Sequence, residues 1–260
     1  MPRNNLTIAK HAIAIAAFMA VNAVAQSIST GPNKVYLEQI GDSNTITVQQ
    51  VGGTNGNVTV NGSTNVTTLV PDAPSTTNYA TTTGSNNVIS INQAGSNNSA
   101  QYNITGSTNT YTSTVTGNNN QTKLTIGTAN AAVSHNSITE SVNGNTNMII
   151  TSVQGSNVTS STSITGSTNQ VTLDLLTSGG NANTTITGSN NVIQSEQRDA
   201  GGGNAHVLVN NVNGNYNSIV TQQQGTNDTT VNLNTDGSHN TITVRTSSGS
   251  IVGSKTAIAR

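Results

Sequence analysis

From residue 33 onward, apolar and polar side chains alternate with a period of two, in runs of six or seven residues closed by glycine. After Asn87 the sequence places Ile89, Ile91 and Gln93 on one face, with Val88, Ser90 and Asn92 between them. After Asn98 the first set is Ala100, Tyr102 and Ile104, and after Asn120 it is Thr122, Leu124 and Ile126. Asn147 leads Ile149, Thr151 and Val153, and Asn169 leads Val171, Leu173 and Leu175. Alternation of this kind predicts half-buried β-strands, because successive side chains leave a strand on opposite sides. Ile89 and Ile149 are therefore expected to be buried, and Ser90 and Ser152 exposed.

Each run follows a Gly-x-x-Asn step: Gly41/Asn44, Gly84/Asn87, Gly95/Asn98, Gly106/Asn109, Gly117/Asn120, Gly144/Asn147, Gly166/Asn169, Gly188/Asn191, Gly214/Asn217 and Gly237/Asn240. The commonest interval is 11 residues, doubling to 22 where a marker is missing. Gly and Asn tolerate positive φ, so the step predicts a corner. The expected fold is all-β: a β-solenoid with a 22-residue repeat made of two 11-residue halves. Stacking at about 4.8 Å gives nine or ten strand-turn-strand rungs and a rod of about 45 Å.

The register survives interruptions. Pro71-Asp72-Ala73-Pro74 replaces one glycine corner, where a missing N–H costs no ladder bond. Extra residues near 127–135 and 198–205 predict protruding loops, placed between Asn120 and Ile138 and between Gln197 and Leu208. Solenoids tolerate insertions at corners.

The first 25 residues have the layout of a secretory signal peptide. Arg3, Lys10 and His11 precede an apolar run from Ala12 to Ala20, and Ala23-Val24-Ala25 supplies a small-residue cleavage pattern before Gln26. The expected organisation is signal 1–25, a short N-terminal flank 26–32, the repeat solenoid 33–248 and a C-terminal tail 249–260. No later segment has spanning length, so no integral membrane segment is expected after cleavage.

Composition then narrows the partners. Charged residues make up 7% and aromatic residues 2%, and cysteine is absent. Such polarity also suits disorder, but near-zero net charge, abundant Thr, Val and Ile, and above all the periodicity argue for a folded ladder. A formal charge of −1 supplies no basic patch for nucleic acid.

The unit Asn33-x-Val35-x-Leu37-x-Gln39-x-Gly41-x-x-Asn44-x-Ile46-x-Val48-x-Gln50 resembles the curlin repeat, as do Gln93-x-Gly95-x-x-Asn98 and Gln223-x-Gly225. The resemblance implies inward Gln and Asn side chains that ladder along the stack. It implies a secreted, curli-like functional amyloid: an extracellular fibre on the cell surface, serving biofilm matrix and adhesion. Its partners would be further copies of the chain, a nucleator subunit and outer-membrane export machinery. The chain departs from the family in having Ile104, Val115, Ile126, Val142, Val153 or Leu175 in the Gln slot, and in lacking a long Gly-rich leader after the cleavage point.

No residue set suggests chemistry. His135, His206 and His239 fall at or beside corners of different rungs without a paired acid, and read as solvated turn residues. Glu140 is the one acid on an inward position, and is expected to hydrogen-bond neighbours in the stack. Gly201-Gly202-Gly203 lacks the Lys-Ser/Thr of a phosphate loop. The expectation is a non-enzyme with no catalytic, cofactor-binding or metal residues. Two alternatives are a monomeric secreted adhesin with capped ends and an ice-binding protein. For the latter, Thr45/Thr47, Thr110/Thr112 and Thr241/Thr243 fit an outward array, whereas Val88/Ser90, Gln121/Lys123 and Met148/Ile150 break it.

Overall fold

The structure, a computed structural model, describes residues 24–28, 36–40, 44–51, 54–61, 65–71, 77–198, 206–224, 228–246 and 251–256. The signal segment 1–23, the Asn33-x-Val35 start, the corner at 72–76, Gly201-Gly202-Gly203 and Gly225 lie outside them, as do the side chains of Ile46, Val48 and Gln50.

In chain order the strands are β1 (Val24–Ile28), β2 (Tyr36–Ile40), β3 (Thr45–Val51), β4 (Thr54–Asn61), β5 (Val66–Pro71), β6 (Thr77–Thr83) and β7 (Val88–Ala94). Next come β8 (Ser99–Ser107), β9 (Thr110–Thr116), β10 (Gln121–Ile126), β11 (Val133–Ser134), β12 (Ser137–Asn143), β13 (Met148–Val153), β14 (Thr159–Thr165) and β15 (Gln170–Leu175). The last are β16 (Asn181–Thr187), β17 (Val192–Arg198), β18 (Val207–Asn213), β19 (Ser218–Gln224), β20 (Thr230–Asp236), β21 (Thr241–Thr246) and β22 (Ile251–Thr256). Strands alternate between two sheets. The first runs β1-β3-β5-β7-β9-β12-β14-β16-β18-β20-β22; the second runs β2-β4-β6-β8-β10-β13-β15-β17-β19-β21, with β11 paired to β8 beside that path. All these pairings are parallel. The chain is a parallel β-solenoid.

The core lies between the sheets and follows the alternation. Ile89, Ile91, Tyr102, Ile104, Tyr111, Leu124, Ile149 and Leu173 are fully buried. Burying one such side chain stabilises by about 1.5–3 kcal/mol. Ser90 and Ser152, expected to be exposed, are only half-exposed. Neighbours in the same column stand about 4.8 Å above and below and cover part of each outward side chain.

The corners correct one part of the sequence reading. The residue in left-handed conformation is not the marker Asn but the one before it: Asn86 (φ 57°), Thr108 (59°), Thr146 (58°) and Tyr216 (57°). The corner glycine is constrained twice. Gly144 has φ 146°, and a Cβ there would collide with the carbonyl oxygen of Gly166 in the next rung.

The insertions leave the stack in register. Ladder partners are 22 residues apart across most rungs, 27 across the first insertion (Asn109 to Asn136), 26 across the second (Asn191 to Asn217) and 23 from Asn217 to Asn240. The first insertion protrudes less than expected. Strand β10 continues to Ile126, Gly127 and Val133 are buried, and the exposed run is Thr128 to Ala132, closed by a Thr128–Ala131 bridge, with His135 exposed beyond it. Residues 199–205 of the second lie outside the described set. The strand array also reaches past 33–248, into the flank through β1 and into the tail through β22.

Candidate functional site: the buried columns and the end of the stack

The marker asparagines are buried because their carboxamides close a chain of hydrogen bonds from rung to rung. Asn87 Nδ2 donates to Asn65 Oδ1 (2.9 Å) and to the Gly106 carbonyl (2.9 Å). Asn87 Oδ1 in turn accepts the backbone N–H and the Nδ2 of Asn109, both at 3.1 Å. The Oδ1 thus accepts from the following rung, while Nδ2 donates both to the preceding Oδ1 and to a glycine carbonyl of the following rung, so the bonds between carboxamides all run one way along the rod. A carboxamide with all its groups partnered can be buried without the desolvation cost of an orphan.

The two sheets use this device differently. In the second sheet Asn98, Asn120, Asn147, Asn169, Asn191, Asn217 and Asn240 occupy the column without a break. In the first, Asn44, Asn65, Asn87, Asn109 and Asn136 are followed by Val158, whose N–H still donates to Asn136 Oδ1 (2.8 Å). Farther on His206 takes the buried position. This corrects the reading of His206 as a solvated turn residue, whereas His135 and His239 do sit at exposed corners with positive φ. The signal was available, since His206 stands two residues before the inward Leu208, where a marker Asn belongs.

His206 belongs to a small buried network. Thr229 Oγ1 donates to Gln223 Oε1 (2.6 Å) and lies 2.6 Å from His206 Nδ1, so the imidazole hydrogen sits on Nδ1. Gln223 Nε2 donates to the Val207 carbonyl (2.9 Å), and Gln197 Nε2 to the Asn181 carbonyl (3.2 Å). Gln197 and Gln223 are register partners, yet their amides satisfy main-chain carbonyls of the opposite sheet instead of each other. The Gln side chains are inward, as the repeat implies, but here they brace the two sheets.

Glu140 is fully buried and accepts from Tyr111 Oη at Oε2 (2.8 Å) and from Thr151 Oγ1 at Oε1 (2.8 Å). Burial pushes its carboxyl up to about 7, partly offset by the two hydroxyl donors. Burial and the adjacent carboxylate push the Tyr111 hydroxyl well up. The Tyr102 and Tyr111 rings meet edge to face, centroids 6.1 Å apart. Among the described residues no three His, Asp or Glu side chains cluster to hold a metal ion, and no helix is long and apolar enough to cross a membrane.

Among the described side chains of the strands, charge on the outer faces lies on the second sheet, apart from Asp236 of β20 in the first. The second sheet carries Lys123, Asp174, Glu196, Arg198 and Arg245 outward, with Arg198 paired to Glu196. Burial raises the Asp174 carboxyl, and Arg198 lowers it in part. The first sheet, from β5 to β18, presents outward Thr, Ser, Asn and Val: its middle column reads Thr68, Ser90, Thr112, Thr139, Ser161, Asn183 and Val209. The pairs Gln121/Lys123 and Met148/Ile150 lie on the other face. At the far end of the second sheet, Ile242 and Val244 of β21 are only half-buried against the core. Comparison with family models, curated proteins and solved structures returned no match.

Proposed function

We propose that this chain is a non-enzymatic structural subunit of an extracellular, curli-like amyloid fibre, secreted after removal of residues 1–25 and serving surface adhesion and biofilm matrix. Nine or ten 22-residue rungs per subunit continue from copy to copy by pairing of end strands, with a nucleator subunit and an outer-membrane exporter as partners. The observation that carries this reading is the polar Asn column of the second sheet, which repeats from rung to rung and ends at Asn240 beside half-buried core residues. A parallel, in-register stack with laddered carboxamides has the bonding pattern of a cross-β fibre. A terminal strand of such a stack is a template for another chain.

The test is polymerisation. Protein from Gln26 to Arg260, diluted out of denaturant, should polymerise after a lag that preformed fibres shorten. Fibre diffraction should give about 4.7–4.8 Å and about 10 Å spacings. Chains that stay monomeric for days with full β-sheet circular dichroism would replace this reading with the capped adhesin.

One observation favours a second reading. The first sheet's outer face from β5 to β18 is uncharged and hydroxyl-rich, as an ice-binding surface is, although Val88/Ser90 interrupt its threonines. Thermal hysteresis in a monomeric preparation would select it.

A further inference from the structure

Following Cα partners across the second sheet traces a single column of register positions: Glu38, Thr59, Thr81, Asn103, Thr125, Ser152, Asp174, Glu196, Gln222 and Arg245. One end of this column is an acid in β2, and the other is a base in β21. The adjacent column of register positions runs from Leu37 to Val244. Val244 and Ile242 are half-buried, whereas their predecessors Thr221 and Ile219 are fully buried.

We propose that the β21 edge is the docking site for β2 of a second copy, joined head to tail and in register, with Glu38 of one copy set over Arg245 of the other. The inference rests on the fibre reading and specifies its joint. Three observations favour a second copy as the occupant. The charges at the two ends are opposite and share one column. Leu37 would complete the apolar column that Val244 leaves half covered. The Asn column is polar, with Asn240 donating back to Asn217, so its acceptor side faces outward and only a donor-leading N-terminal rung continues it.

Strand numbers fit this joint only after processing. The first sheet has eleven strands and the main path of the second has ten, so β1 would hold β2 away from β21. Cleavage after Ala25 cuts β1 from five paired positions to three (Gln26↔Gln49, Ser27↔Gln50 and Ile28↔Val51), and the joint closes where this remnant yields the β3 edge to β22 of the neighbour.

Charge reversal tests the joint on the processed chain. Glu38→Arg sets Arg over Arg, and Arg245→Glu sets Glu over Glu; each alone should slow seeded elongation at low salt by about fivefold, since like charges directly opposite destabilise a strand pair. Mixed in equal amounts, the two variants restore an opposite pair at every joint, and elongation should return to within about twofold of the unsubstituted rate. The single-variant defects should shrink in high salt. Variants that elongate normally alone, or a mixture as slow as its components, would overturn the joint. A wild-type chain that never polymerises would instead sink the fibre reading itself.

Discussion

Asn147 and Asn169 stand one rung apart in the second sheet, and Asn147 Oδ1 accepts both the backbone N–H and the Nδ2 of Asn169, each at 3.0 Å. Asn147 Nδ2 donates to Asn120 Oδ1 (3.1 Å) and to the Gly166 carbonyl (2.8 Å). Asn147→Ala therefore orphans groups on both neighbouring rungs in a place water does not reach. The expected loss is about 2–4 kcal/mol, because buried unpaired groups cost more than a made bond contributes. The Asn145 side chain, at the exposed corner, accepts the Asn118 N–H (2.8 Å), and water can replace it. Asn145→Ala should cost less than about 1 kcal/mol. Urea titration of the two variants checks the contrast; equal losses would contradict the column's structural role.

Ile149 and Ser152 test the two sides of β13. Ile149 is fully buried, so Ile149→Lys loses its burial and forces a charge into the core, for an expected loss of at least about 3 kcal/mol. Ser152 is half-buried but outward, with Asp174 as its register partner. Ser152→Lys should stay within about 0.5 kcal/mol of the parent, with the ammonium beside an acid. Equal effects on thermal stability would refute the register.

The sequence made the strand positions, the two-sided alternation and the 22-residue rung legible, because a period of two and a recurrent glycine are local signals. Glu140 was also placed inward from its position in the run. What it did not disclose depends on where a corner leaves its residues. Thr146 and Asn147 both follow Gly144, and only the folded corner gives the positive φ to Thr146 and the buried column to Asn147. His206 departs from its expected place for the same reason: a polar residue next to an insertion looks like a turn until its rung is stacked. Outward pairs such as Thr110/Thr112 and Gln121/Lys123 look like one array in the sequence, whereas alternate runs belong to opposite faces.

The expected processing point falls inside β1, between Ala25 and Gln26. Mass spectrometry of secreted protein should find Gln26 as the first residue. Secreted chains that retain Met1 to Ala25 would contradict the signal assignment and keep all five residues of β1 on the β3 edge.

Glu140 makes stability depend on pH, and the direction follows from its carboxyl. Its ordinary value is 4.5 and burial raises it to about 7 in the folded chain. The folded state thus keeps a proton that the unfolded state releases, so ν is larger in the native form between about pH 4.5 and 7. Stability from this group is fully present below about pH 4.5, falls as pH rises toward 7, and is flat beyond. The total loss is on the order of 3 kcal/mol, since each unit of pKa difference corresponds to about 1.4 kcal/mol. The raised Asp174 carboxyl contributes in the same direction, with a smaller effect because it is partly exposed. Glu140→Gln keeps the shape and can still bond Tyr111 and Thr151, but carries no proton to lose. Urea resistance of the parent should therefore fall from about pH 4.5 to pH 8 while that of Glu140→Gln falls much less, and the variant should be the more stable of the two at pH 8. A parent and variant with parallel pH profiles would show that Glu140 is not the group that titrates.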